Sequence, residues 1–137
     1  MATSSPCILV DLFKAKNPYS GLGQFSIQFA EQLKLMLPHN ISFNFLLPPG
    51  LDWKRHSKCG EVRANFFNRH FPSRNRGFDL WHSLHQFPAH FPHFETPQIL
   101  TVHDLNFLTE KEGHKRDKYL KRLQKNIDRA SVVTAIS

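Results

Sequence analysis

The sequence has only two cysteines, Cys7 and Cys59, and they lack the C-x-x-C spacing of a metal or redox motif. No apolar run approaches the roughly 18 residues that a membrane-spanning helix needs. The N-terminal segment has neither the basic flank nor the small-x-small cleavage site of a signal peptide. These absences favour a reducing, cytoplasmic setting, with a peripheral position on the inner face of a membrane also open.

Acidic residues are the scarcer charge, since 11 Asp and Glu stand against 18 Lys and Arg and the formal net charge is +7. Such a surface is either simply solvated or attracts polyanions, such as nucleic acid, acidic lipid or phosphorylated ligands. With 13 phenylalanines and 40% hydrophobic residues among 137, the composition is globular. We therefore expect one domain over residues 1–137.

The apolar pattern predicts strands and helices in alternation. Strands are expected at residues 7–12, 41–47, 79–83 and 99–103, and the segment "SVVTAIS" begins as another buried strand. Amphipathic helices are expected over residues 21–37, through Leu22, Phe25, Phe29, Leu33 and Met36, and over residues 114–130, through Leu120, Leu123, Ile127 and Ala130. The segment "VRANFFNRHF" fits a strand, a helix, or one after the other. This order predicts an α/β fold with a parallel sheet.

Polar side chains stand where the predicted strands end: Asp11, His82, Ser83, His103, Asp104 and Ser137. Because ligands bind outside the carboxyl ends of strands in open parallel sheets, we expect these groups to line one rim. Asp104 is expected to cap the turn that follows it. His103 is either a core histidine bonded to a backbone carbonyl or a group that contacts a ligand.

Gly21 and Gly23 lie between the first predicted strand and the first predicted helix. A helix N-terminus offers unpaired N–H groups and a partial positive charge, which together hold a phosphate. The full G-x-G-x-x-G motif fails because residue 26 is Ser. Tight packing at the two glycines is the alternative explanation.

Four histidines lie close in sequence: His82, His85, His90 and His93. Prolines interrupt them and carboxylates are scarce nearby, so no metal is expected. The helix predicted over residues 114–130 has an apolar stripe and a basic face, a pattern that fits peripheral contact with an acidic membrane. No signature of a nucleic-acid-binding module is present, so nucleic acid is not expected as a partner.

Four segments occur in an order typical of one protein group: "YSGLGQFSIQFAEQL", "FDLWHSLHQFP", "TPQILTVHDLNFL" and "RASVVTAIS". In this combination the chain resembles the N-terminal domain of the family 4 retaining glycosyltransferases, which have the two-domain GT-B architecture. The resemblance covers residues 7–137, with little contribution from residues 48–78. No Glu has a second Glu eight residues on, so the E-x7-E motif of the C-terminal nucleotide-sugar domain is absent. The resemblance implies a Rossmann-like, acceptor-side domain, cut before its last elements.

This resemblance also implies an activity: transfer of a sugar from a nucleotide-sugar substrate to a hydroxyl acceptor with retention, without a metal or other cofactor. It implies donor contacts for Gly21, Gly23 and Ser137, a place at the reacting centre for His103, and acceptor contacts for His82, Ser83 and His85. Acceptors in the family include lipids, saccharides and small molecules. Without a second domain, this chain alone is expected to be inactive. The competing hypothesis is a non-enzymatic basic module that binds nucleic acid or an acidic membrane surface.

Overall fold

The computed structural model describes residues 4–136 and contains one parallel sheet. Its strands are Cys7–Asp11 (β1), Ser42–Leu47 (β2), Cys59–Arg63 (β3), Leu80–Ser83 (β4), Gln98–Val102 (β5) and Val132–Ala135 (β6). They lie in the order β3-β2-β1-β4-β5-β6, and all five pairings are parallel. The predicted α/β, Rossmann-like sheet is therefore confirmed.

The helices of the described chain are Gly21–Leu35 (α1), Phe66–His70 (α2), Phe107–Glu110 (α3) and Gly113–Arg129 (α4). The helices predicted over residues 21–37 and 114–130 are thus both present. Ser20 begins α1 as its N-cap, because its Oγ accepts the N–H of Gly23 at 3.0 Å. Between residues 4 and 136, no helix has the length and apolar character that crossing a bilayer requires.

Two apolar clusters hold the fold, one on each face of the sheet. Successive strand residues point to opposite faces, so Val10 joins the cluster beneath α1 while Leu9 joins the other. The helix covers its face through Phe25, Phe29 and Leu33. Met36, which was predicted on the same face, is exposed where α1 ends.

The segment "VRANFFNRHF" contains the end of β3 followed by α2. The helix begins at a reciprocal cap: Asn65 Oδ1 accepts the N–H of Asn68 at 2.9 Å, and Asn68 Oδ1 accepts the N–H of Asn65 at 2.8 Å. Of the alternatives that the sequence left open, the structure has a strand and a helix in succession.

The last strand differs from its prediction. Val132 and Val133 are 52% and 43% exposed, and every residue of β6 is exposed. β6 forms an edge of the sheet, and no described element covers it, so the prediction of a buried strand is wrong for residues 132–135. Ser137, predicted to contact the donor, lies outside the described residues.

Both apolar and polar contacts anchor the long helix α4, among them the Tyr119 ring against Phe87 and the Arg129 guanidinium, which donates to the carbonyl oxygen of Pro92 at 2.8 Å. Leu123 is buried, but Leu120, expected on the same packed face, is exposed. The buried Asn126 donates from Nδ2 to the carbonyl oxygen of Gln86 at 2.9 Å. This bond joins α4 to the loop that follows β4.

Candidate functional site

The strand order places a topological switch point between β1 and β4, which are neighbours in the sheet. In open α/β sheets, ligands bind in the crevice outside the carboxyl ends of the strands at such a point. Asp11 ends β1, His85 follows β4, and His103 directly follows β5. The parallel sheet therefore brings these three residues to one edge, which we call the rim.

His103 is half-buried at the end of β5. Its Nε2 lies 2.6 Å from the carbonyl oxygen of Leu84. Because a carbonyl only accepts, Nε2 carries the proton and donates it. The ring meets Phe25 of α1 edge to face, with 4.5 Å between centroids. In the described chain Nδ1 has no hydrogen-bond partner, so this nitrogen is available to a ligand.

Gln86, which the sequence did not single out, holds the segment after β5. Its side chain is buried, its Oε1 accepts the backbone N–H of His103 at 3.0 Å, and its Nε2 donates to the carbonyl oxygen of Asp104 at 2.8 Å. Asp104 itself accepts the N–H of Asn106 on Oδ1 at 3.1 Å, the contact expected of a turn residue. The position of His103 is thus set by a residue from the loop after β4.

The two glycines have different environments. A Cβ at Gly23 would lie 1.9 Å from the carbonyl oxygen of Asn17, and the Gly23 N–H is already bonded to Ser20. Gly23 is therefore required by packing, and its N–H is not free to bind a phosphate. A Cβ at Gly21 would meet nothing within 4 Å. The N–H groups of Gly21 and Leu22 have no acceptor within residues 4–136, so they are the donors that an anion can reach.

Three ionisable residues, Asp11, Lys14 and His85, line a cavity of about 10 Å³ at the rim, barely the space of one water molecule. Burial raises the pKa of Asp11 to about 7. Two groups partly oppose this rise: first the N–H of Phe13, which donates to Oδ1 at 2.8 Å, and then the charge of Lys14. Burial, followed by the charge of Lys14, lowers the pKa of His85 to about 4. The carboxyl therefore titrates near neutral pH beside an imidazole that stays uncharged.

His82 and Ser83 lie within β4 and point to opposite faces of the sheet, and neither lines the cavity at the rim. His82 Nε2 lies 2.9 Å from Thr101 Oγ1, its ring packs edge-on to Phe29, and burial lowers its pKa to about 4. Ser83 is 0% exposed, and its Oγ accepts from Gln98 Nε2 at 2.8 Å. Ser83 is thus closed off from solvent in this structure, and His82 packs against α1.

Residues 4–136 contain no group of three His, Cys, Asp or Glu side chains that could hold a metal ion. The two remaining histidines of the His-rich segment are both buried. His90 packs edge-on to Phe13 at 4.8 Å, and His93 accepts the N–H of Glu95 on Nδ1 at 3.3 Å. These histidines serve local packing and turn formation.

Comparison with known proteins adds no family assignment. No family model, no curated protein and no solved structure matches the chain. The likeness to family 4 glycosyltransferases is therefore carried by the quoted sequence segments alone, and it enters below as part of a proposal.

Proposed function

We propose that this chain acts as the acceptor-side domain of a retaining glycosyltransferase that uses a nucleotide-sugar. The observation that carries the proposal is the meeting of two groups at the switch point: the first turn of α1 and the ring of His103, which packs on Phe25 of the same helix. The first turn of α1 suits a diphosphate, and the ring of His103 suits a sugar hydroxyl. The sequence segments that resemble the family 4 enzymes supply the reaction class.

The donor side of the proposed site uses the helix terminus. Negative charge develops on the diphosphate as the bond between the sugar and its leaving group breaks. The N–H groups of Gly21 and Leu22, at the positive end of α1, stabilise that charge. His103 keeps its proton on Nε2 for Leu84, so in the neutral ring Nδ1 accepts a hydrogen bond from a sugar hydroxyl.

The acceptor side uses His85, the one predicted acceptor residue that lies at the rim. Its Nδ1 accepts the N–H of Phe87 at 3.1 Å, so the proton of the neutral ring is on Nε2. Since its pKa is lowered to about 4, this ring stays neutral at physiological pH and donates to a hydroxyl oxygen. Asp11 and Lys14, beside it, give the same edge one group that titrates near neutral pH and one cation.

Binding and turnover test the proposal separately. Amide and imidazole NMR shifts of the 137-residue chain are recorded with uridine and guanosine diphosphate sugars. We expect shifts at Gly21, Leu22 and the His103 ring, but no sugar transfer, because one domain does not hold both substrates in place. Transfer is then assayed with the longest natural reading frame that contains this chain. Shifts confined to other surfaces, or turnover by the 137-residue chain, would contradict the proposal.

A second candidate function is a non-enzymatic binding module. The observation in its favour is α4, whose residues 113–118 and 120–122 are exposed and mostly basic, which fits contact with an acidic membrane. Binding of the chain to acidic vesicles that Lys121→Gln/Lys125→Gln weakens, together with unchanged NMR spectra in every nucleotide-sugar, would favour this module over the transferase.

A further inference from the structure

The short helix α2 buries a polar side chain and exposes apolar ones. Asn68 is buried, whereas Phe66 and Phe67 are 64% and 54% exposed. Phe71, directly after the helix, is 48% exposed. Phenylalanine is among the residues most often buried, and a contiguous exposed apolar group marks an interaction surface.

The three rings form one cluster with two arginines, which we call the aromatic–arginine patch: Phe66, Phe67, Arg69, Phe71 and Arg74. Ring centroids are 5.8 Å apart for Phe66 and Phe67, 6.5 Å for Phe66 and Phe71, and 6.4 Å for Phe67 and Phe71. The guanidinium of Arg74 lies 5.1 Å from the ring centroid of Phe67. The patch thus combines apolar surface with one cation that already lies against it, Arg74, and a second, Arg69, that lines the same cavity as Phe66.

The patch is held from beneath by buried asparagines. Asn68 closes the cap with Asn65 and donates from Nδ2 to the carbonyl oxygen of Arg63 at 2.9 Å. Asn75 Nδ2 donates to the carbonyl oxygens of Asn68 and Phe91 at 2.8 and 2.6 Å. These polar anchors keep the phenylalanine side outward, so its exposure is built into the fold.

The charge around the patch has one sign. Residues 62–78 contain four arginines and no Asp or Glu. A cavity of about 310 Å³ next to Phe66 is also lined by Arg69 and His70. The pKa of His90, which is buried in the cavity wall, is lowered mainly by burial and further by Arg69 and His70. The surface is therefore complementary to an anion that has an apolar part.

We propose that the aromatic–arginine patch docks this domain on an acidic phospholipid surface. The phenylalanines enter the boundary between headgroups and acyl chains, and Arg69 and Arg74 pair with lipid phosphates. A single-stranded nucleic acid fits less well, because the three rings pack against one another, with centroids 5.8, 6.4 and 6.5 Å apart, and leave no space for a base between them. This docking does not depend on the proposed transfer.

The patch also has a defined position relative to the rim. α2 directly follows the carboxyl end of β3, and in a parallel sheet all carboxyl ends lie at one edge. A membrane bound by the patch would therefore lie on the side of the molecule where the switch-point crevice opens.

Vesicle co-sedimentation tests the proposal with the 137-residue chain. Vesicles of equal parts phosphatidylcholine and phosphatidylglycerol are compared with phosphatidylcholine alone. We expect binding to the acidic vesicles only, weakened at about 1 M salt, where the screening length falls to about 3 Å. The double variant Phe66→Ser/Phe67→Ser should bind at least about tenfold more weakly. Arg69→Gln and Arg74→Gln should each weaken binding about fivefold.

Matched controls separate the patch from other surfaces. Phe94→Ser removes an exposed phenylalanine outside the patch, and Lys54→Gln/Lys58→Gln removes two exposed charges outside both the patch and α4. We expect both controls to bind like the unmodified chain, and all variants to unfold at similar urea concentrations. No binding to acidic vesicles would overturn the proposal. So would loss of binding only in Lys121→Gln/Lys125→Gln, which removes two charges from α4, or patch variants that lose only the binding of single-stranded RNA in a polarisation assay.

Discussion

The side-chain amide of Gln86 holds the backbone of His103 and Asp104. Its Oε1 accepts the N–H of His103 at 3.0 Å, and its Nε2 donates to the carbonyl oxygen of Asp104 at 2.8 Å. Both bonds come from one buried side chain in the loop after β4. The backbone that carries the candidate sugar-binding ring is therefore fixed by the neighbouring loop, which Asn126 in turn ties to α4.

Replacing Gln86 with leucine should lower the free energy of unfolding by about 2–4 kcal/mol. The substitution keeps the volume but leaves an N–H and a C=O without partners, and each unmet bond costs about 1–3 kcal/mol. Urea denaturation measures the loss. Gln124→Leu, which removes one exposed bond to Asp128, should change stability by less than about 0.5 kcal/mol. Equal losses in the two variants would show that the buried bonds contribute little.

The two glycines of α1 should respond differently to alanine. Gly23→Ala places a Cβ against the carbonyl oxygen of Asn17, so we expect a loss of about 1–3 kcal/mol in unfolding free energy. Gly21→Ala meets open space and restricts the unfolded chain, so it should be neutral or stabilise by up to about 1 kcal/mol. Urea denaturation of the pair provides the comparison, and a stable Gly23→Ala variant would contradict the close packing.

The parallel sheet was predictable because its central strands carry continuous apolar runs, as in residues 7–12 and 99–103. The edge strand β3 was less predictable, since its sequence "CGEVR" contains a glycine and a glutamate, which are uncommon in strands. α2 remained one of several alternatives for its segment because its phenylalanines face solvent, which removes the apolar periodicity that identifies a helix packed on a sheet. β6 has the apolar composition of a buried strand, and composition does not reveal a position at the edge.

The rim was predictable for Asp11, which ends β1, and for His103, which directly follows β5. Ser83 pairs with Asp11 as the last residue of β4 but is fully buried, whereas His85, two residues later, reaches the rim. Gln86 gave no sequence signal, because its partners are 17 and 18 residues away. Such long-range bonds depend on strand order, which follows from the whole fold.

Stability should depend on pH through opposing groups. Burial lowers the pKa of His82, His85 and His90 to about 4, so between pH 4 and 6.5 the unfolded chain binds more protons through them, and they make stability rise with pH. Burial raises the pKa of Asp11 from 3.8 to about 7, so the folded chain holds that proton and stability falls as pH rises from about 4 to 7. Because three histidines oppose one carboxyl, we expect the free energy of unfolding to rise with pH between pH 4 and 6.5.

Asp11→Asn isolates the carboxyl, because the amide oxygen can still accept the N–H of Phe13. The variant should show a steeper rise in unfolding free energy between pH 4 and 6.5, by up to about 1.4 kcal/mol per pH unit, the value for one proton. Urea denaturation across this range measures the slope, and Asp52→Asn, at an exposed position, is the control. Parallel curves for Asp11→Asn and the unmodified chain would mean that Asp11 is ionised throughout.

The pair His103 and Asp104 should separate transfer from stability in a protein that carries the proposed activity. His103→Gln can still donate to the Leu84 carbonyl but loses the Nδ1 acceptor, so transfer should fall about tenfold to a hundredfold while stability changes little. Asp104→Ala removes the bond to the Asn106 N–H and should cost about 1 kcal/mol of stability with nearly unchanged transfer. Initial rates and urea denaturation of both variants decide the matter. If His103→Gln transfers sugar at the unmodified rate, the ring does not contact the sugar, and its bond to Leu84 is its whole role.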